Sequence, residues 1–331
     1  LYVSGPALIR QHLPTTRQQK AYGIWMMSCG IGISIGPVIG GALTSMLSWQ
    51  WVFFINIPLC VAGIVFTFFI RNGSKQDAFK SDSSFDYYGA VLSFLFLAFI
   101  ILGINGITRK TSSVLYSLAF ISISVVIFVL FIRRETSFEK PVFQIRLFRN
   151  FNFMMANIGF FLFFIVNVGS RFLRPFYFEN GRGLSTMTSG FLMMTAPLVM
   201  VLVSPLASML TKRISLKAAC FSGSFLLLVS MIFFSFWNKD TNIFLLVLPM
   251  IILGAGMGIY YPTASYVGMT DLPSGSHGMG SAAISTSKSL AKLFGVLMYS
   301  VLFTYFLQSS EIETVTESVR AYQYTFFAGA V

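Results

Sequence analysis

Acid is what this sequence has least of. Asp and Glu number 11 among 331 residues, against 23 Lys and Arg, and histidine occurs twice. No acid falls in the middle of an apolar run. An enzyme needs clustered acids, histidines, or a nucleophile with its base, and the apolar runs offer none of these. The three cysteines, Cys29, Cys60 and Cys220, all lie in apolar runs without redox or zinc spacing. They read as small hydrophobes rather than a disulfide framework. His12 and His277 sit far apart at helix–loop junctions, so no metal site and no cofactor is expected. Charge as a whole is also short. Asp, Glu, Lys and Arg make up 10% of the chain, where a soluble domain carries about 25%. That is too little to coat a water-facing surface. The net charge of +12 has no soluble domain to present it as a basic patch, which argues against a nucleic-acid partner.

What is abundant is apolar sequence. Hydrophobic residues are 55% of the chain, 37 of them Phe, and mean hydropathy is +0.76. Runs close to the ~20 residues that cross a bilayer recur throughout, and none alternates as barrel strands do. The fold class is an all-α polytopic membrane protein. Spans are expected at 21–46, 51–70, 87–107, 113–132, 152–175, 187–210, 217–237, 243–269 and 279–306. A helix tail at 1–12 and a helix start at 321–331 suggest a chain truncated at both ends. Lys and Arg alternate between the two sets of connecting loops. One set holds Arg10, Arg17, Lys20, Arg71, Arg133, Arg146, Arg149, Lys212 and Arg213 among others; the opposite set holds only Arg109, Lys110, Arg182, Lys239 and Arg320. Positive residues stay inside, so the richer set is expected in the cytoplasm and the protein in the cell membrane. Attraction to the membrane surface accounts for the excess of positive charge.

The stretch "GIGISIGPVIGG" (30–41) concentrates the two residues least suited to a helix interior. In lipid, small residues let helix backbones approach. Gly32, Gly36 and Gly40, four apart, share one face, and Pro37 favours a bend. Two readings fit: an ordinary packing face, or a close seam between moving parts. Gly23, Gly32, Gly36–Pro37 and Gly40–Gly41 together resemble the antiporter motif in the fifth helix of the major facilitator superfamily. "LPTTRQQKAYGIW" before it and "SWQWVFFINIPL" after it resemble the fourteen-helix drug:proton antiporter branch. So do "RPFYFENGRGLS" (174–185), "SPLASMLTKRIS" (204–215), "GMGIYYP" (256–262) and "STSKSLAKLFGV" (285–296). The resemblance implies two pseudo-symmetric helix bundles with two extra central helices. Residues 1–70 would complete the N-terminal bundle, 71–150 hold the cytoplasmic loop and extra helices, and 151–331 form the C-terminal bundle. It also implies that the Gly32–Gly36–Gly40 face gates the chain by pressing on the C-terminal bundle. Arg17, Lys20 and Arg213 match the cytoplasmic loop motif and its degenerate repeat, where Lys212 stands in place of an aspartate.

Charges inside the membrane are functional candidates by default. Lys288 and Lys292 share a helix face, about 15–20 Å into their span at 1.5 Å per residue. Either they face a central cavity and attract an anionic substrate, or they belong to a polar interior network. Arg171 and Arg174 lie near the opposite end of the span 152–175. Either they reach the headgroups with Glu179 as partner, or they form a vestibule cluster. Asp86 reads as a helix cap. "GFFLFFIVN" and "MIFFSF" either line an aromatic cavity or face lipid. The resemblance implies a secondary transporter: proton-coupled efflux of lipophilic, drug-like small molecules by alternating access, monomeric, with the proton gradient as its only energy source. An anionic metabolite as substrate, or a sensor that has lost transport, are the alternatives.

Overall fold

A computed structural model describes residues 5–68, 86–108, 114–137, 145–273, 276–308 and 315–330. The described residues are nearly all helical. The helices are α1 (Gly5–His12), α2 (Thr15–Met46), α3 (Trp51–Phe54), α4 (Asn56–Phe68), α5 (Tyr87–Thr108) and α6 (Val114–Ser137). They continue with α7 (Phe151–Phe176), α8 (Thr186–Leu210), α9 (Leu216–Ser235), α10 (Ile243–Thr270), α11 (His277–Gln308) and α12 (Val315–Ala328). Seven are long and apolar enough to cross a membrane, and two shorter apolar helices span Trp51–Phe66 and Tyr87–Gly103. Outward-facing Leu, Ile, Val and Phe cover their surfaces, as expected of side chains solvated by lipid.

Local chemistry sets the boundaries. Asn150, Ser185, Ser215 and Asn242 each precede a helix, and each side-chain oxygen accepts from a first-turn amide, satisfying a donor that the helix leaves open. The apolar run expected at 51–70 forms Trp51–Phe54 and Asn56–Phe68, with Ile55 between them at helical angles. Asn56 Nδ2 donates to the carbonyls of Val52 and Phe53, each at 3.2 Å. Pro58 follows with no amide to offer the turn before it. Beyond Pro175 the last turn of α7 widens into a π-helical turn, Tyr177–Gly181. The Arg182 amide reaches back to Tyr177 O at 3.0 Å and the Leu184 amide to Phe178 O at 2.9 Å. Gly183 ends it at φ +67°, a conformation that a Cβ disfavours.

The core is built from α7–α12 together with α1 and α2. α2 lies along α8, α7 along α11, and α10 along both α8 and α9. At the basic end the two parts are latched. Arg10 Nη2 donates to Thr270 O at 2.5 Å and Arg10 Nη1 to Gln18 Oε1 at 2.6 Å. Gln19 Nε2 donates to Thr211 Oγ1, and Tyr22 meets Tyr266 edge to face. Asp271, in the loop before α11, accepts from Asn152 Nδ2 at 2.5 Å.

α5 and α6 pack chiefly on each other, with only a light contact to α11. Asp86 caps α5 by accepting from the Gly89 amide at 3.0 Å and pairs with Arg134 at 3.4 Å. Asp86→Ala is expected to destabilise the protein by about 1–2 kcal/mol, and Asp86→Asn by less, because an amide still caps while only the ion pair is lost. Thermal melts in detergent measure the difference; equal melting temperatures for wild type and Asp86→Ala would refute the capping role.

Candidate functional site

The described residues enclose a cavity of about 750 Å³ where α2 faces α7, α8, α10 and α11. That is the size range of small-molecule sites. α2 supplies Met26, Cys29 and Ile33. α7 supplies Phe164, Asn167, Val168, Arg171, Phe172, Pro175 and Phe176. Met193 and Met200 come from α8, Met257 and Tyr261 from α10, Lys292 and Val296 from α11. Its position follows from helix direction. α7 lines it with its second half, from Phe164 to Phe176, so the chamber runs from mid-helix toward the end opposite the basic latch.

Aromatic stacking fixes one wall. Phe164 stacks on Tyr261 at 5.1 Å and 20°, and Phe163 on Tyr260 at 4.4 Å and 9°. Ring pairs of this geometry add about 0.5–1.5 kcal/mol each beyond area burial, which holds α7 and α10 in fixed register beside the chamber. The "GFFLFFIVN" stretch therefore divides its roles: Phe160 and Phe163 are packed core, Phe164 is lining, and Leu162 is exposed.

The four expected intramembrane cations separate. Lys292 and Arg171 line the chamber. Lys288, on the same helix face as Lys292, does not. It is 2% exposed, its Nζ 3.9 Å from the centre of the Phe160 ring and 5.9 Å from that of Phe164, a favourable place for an ammonium. Arg174 neither reaches the headgroups nor lines the chamber. It is 2% exposed, its Nε donates to Ser170 O at 3.3 Å, and its guanidinium lies 5.4 Å from the Phe234 ring. Among the described residues no ion pair joins it or Arg171 to Glu179, which stays half-buried in the π-helical turn. Trp237, just beyond α9, is buried and stacked on Tyr177 at 5.1 Å. Arg17, Lys20 and Arg213 are exposed at the basic end, beside the Gln19–Thr211 contact.

The glycine segment contacts α8, but through a different face from the one expected. A Cβ at Gly32, Gly36 or Gly40 would meet nothing within 4 Å. The approach is made by Gly23, Gly30, Pro37 and Gly41. A Cβ at Gly23 would lie 2.7 Å from Ser204 O, and one at Gly41 would lie 2.9 Å from Thr186 O. At Gly190 of α8 it would lie 2.6 Å from Pro37 O. Backbone meets backbone along most of α2. The contact is also not confined to one end: it runs from Gly23 at the basic end to Gly41 at the other. Two further features were not anticipated from sequence: the methionine wall and the buried amide of Asn167. Methionine is apolar by any pattern, and nothing in the sequence separates lining from core.

The chain matches the family model described as Major Facilitator Superfamily over residues 1–296. It is 30% identical over 305 residues to the riboflavin transporter RibZ of Clostridioides difficile, covering 92% of this chain and 65% of that protein. It is 26% identical over 328 residues to the probable transport protein HsrA of Haemophilus influenzae, covering 98% and 68%. Identity is 25% over 302 residues to the tetracenomycin C resistance and export protein of Streptomyces glaucescens, covering 90% and 56%. The chain thus spans 56–68% of the length of these relatives, which are transport proteins rather than enzymes.

Proposed function

This chain belongs to the major facilitator superfamily, and on that premise we propose that it is a secondary transporter exporting lipophilic small molecules in exchange for protons. The cavity between α2 and the helices of 151–308 is its substrate site, and the observation that carries this is its composition: a chamber of about 750 Å³, mostly apolar, with a few convergent polar groups, as small-molecule sites are. Sites at the junction of two helix bundles suit alternating access, in which the bundles rock about the bound molecule. The close α2–α8 contact is the seam across which they move, which makes Gly23, Pro37 and Gly41 the gate residues of the antiporter motif. The basic latch closes one end while the chamber extends toward the other.

We further assign the chain to the fourteen-helix branch, with α5 and α6 as the extra central pair. Their light contact with everything but each other supports that assignment. The cell membrane, basic loops in the cytoplasm, and a monomer complete the reading. Relatives named for tetracenomycin C export and for multidrug transport favour efflux; the riboflavin transporter favours a flat aromatic cargo. Cells producing the protein are expected to extrude a lipophilic dye faster than cells without it, and a protonophore is expected to remove the difference. Dye efflux that ignores the protonophore would exclude proton coupling, and no efflux at all would exclude the export reading.

A further inference from the structure

Resting on the reading of this cavity as the substrate site, we propose that its cargo is an amphipathic organic anion: a flat apolar body carrying one carboxylate or sulfonate. The two walls of the chamber differ in chemistry. α7 and α11 form a polar edge with Asn167, Arg171 and Lys292, while α2, α8 and α10 oppose it with Met26, Met193, Met200 and Met257. No Asp or Glu lines the chamber among the described residues. Arg171 and Lys292 line the same chamber, and Lys288 lies one turn before Lys292 on α11. Like charges gathered in a low-dielectric space raise one another's energy, and a bound anion lowers it. A cation would add a further like charge, and a neutral molecule would leave the repulsion in place.

Asn167 supplies an independent observation. The residue is 4% exposed, lines the chamber, and its Nδ2 has no hydrogen-bond partner among the described residues. It lies one helical turn from Arg171, so both donors serve the same edge. A buried donor left without an acceptor is costly, and an oxyanion at that edge satisfies it. The thioether wall suits the other part of the molecule. Methionine is polarizable and adaptable and packs well against aromatic rings. The cargo therefore lies with its ring among the methionines and its acid toward the α7–α11 edge.

Three probes of one shape test this: 2-naphthoate, neutral 2-naphthamide and 2-naphthyltrimethylammonium. Binding is measured with the protein in phosphatidylcholine nanodiscs, so that no lipid anion competes. The naphthoate is expected to bind about 10- to 100-fold tighter than the amide, the range for contacts to a charged group, and the cation weakest. Lys292→Met and Arg171→Met should each reduce the ratio, and together abolish it. Equal binding of acid and amide, tighter binding of the cation, no binding of any probe, or a preference that survives the double substitution would overturn the proposal. Met200→Trp and Met257→Trp, each crowding the methionine wall from a different helix, separate this from the reading of the site. Loss of all probe binding in folded Trp variants upholds the chamber as the site whatever the charge preference. Naphthoate that binds both Trp variants as tightly as the wild type removes the site and the proposal together.

Discussion

Gly190→Leu is expected to abolish transport while the protein still folds and inserts. A Cβ at that position would stand 2.6 Å from Pro37 O and 3.2 Å from the Pro37 carbonyl carbon. The obstacle is backbone, so no rotamer change relieves it. α2 and α8 must separate, and the seam that both rest on is lost. Water offers no compensation in the bilayer, where close packing is itself what holds helices together. Gly41→Leu should act the same way from the other helix, against Thr186 O at 2.9 Å. Flux is read in proteoliposomes and folding by monodispersity in detergent; wild-type flux in a folded Gly190→Leu protein would remove the seam from the mechanism. Gly36→Leu is read separately. Its new side chain meets nothing within 4 Å, and the α2–α8 contact is expected to survive it. Retained flux leaves the Gly32–Gly36–Gly40 face without a role; lost flux gives that face a partner outside the described residues.

Gly256→Leu is expected to deplete folded protein altogether. Gly256 on α10 and Gly223 on α9 approach each other's backbone. A Cβ at Gly256 would lie 2.8 Å from Gly223 O, and one at Gly223 would lie 3.0 Å from Gly256 O. This contact joins helices within 151–331 rather than across the α2–α8 contact, so the cost falls on stability. Overpacking a filled core costs about 1–3 kcal/mol, and four added heavy atoms against backbone push beyond that range. Gly256→Ala should be milder but still measurable. Melting temperature in detergent tests both, and a Gly256→Leu protein that melts with wild type would contradict the packing described.

Helix positions were largely legible because hydropathy and caps act locally. Asp86 could be read as a cap from its place before an apolar run, and its carboxylate does accept the Gly89 amide. Inferences that needed a partner fared worse. Four-residue spacing picks out Gly32, Gly36 and Gly40, yet a close approach needs only one small residue at each crossing. Gly190, the decisive one, lies on another helix. Lys288 and Lys292 share a face by periodicity, but one turn along the helix carries one of them under Phe160 and leaves the other in the chamber. Arg174 looked like a headgroup contact because its distance along the helix is readable from sequence and its rotation is not; it points inward to Phe234. The widened turn after Pro175 depends on Tyr177 seating against Trp237 and donating to Asn238 O at 2.7 Å, which lie some sixty residues on.

The basic latch carries one last implication. Arg10 and Gln19 end on a main-chain carbonyl and a hydroxyl, and among the described residues no carboxylate takes part. A neutral hydrogen bond nets about 0.5–1.5 kcal/mol, and one made by a charged donor about 1.5–3 kcal/mol. Releasing the pair therefore costs about 2–4.5 kcal/mol, which a ligand offsets only in so far as it binds the released state more tightly than the latched one. A roughly 30- to 2,000-fold preference for the released state would be enough to unfasten that end, and with no acid in the latch among the described residues, added salt should do little to hold it shut.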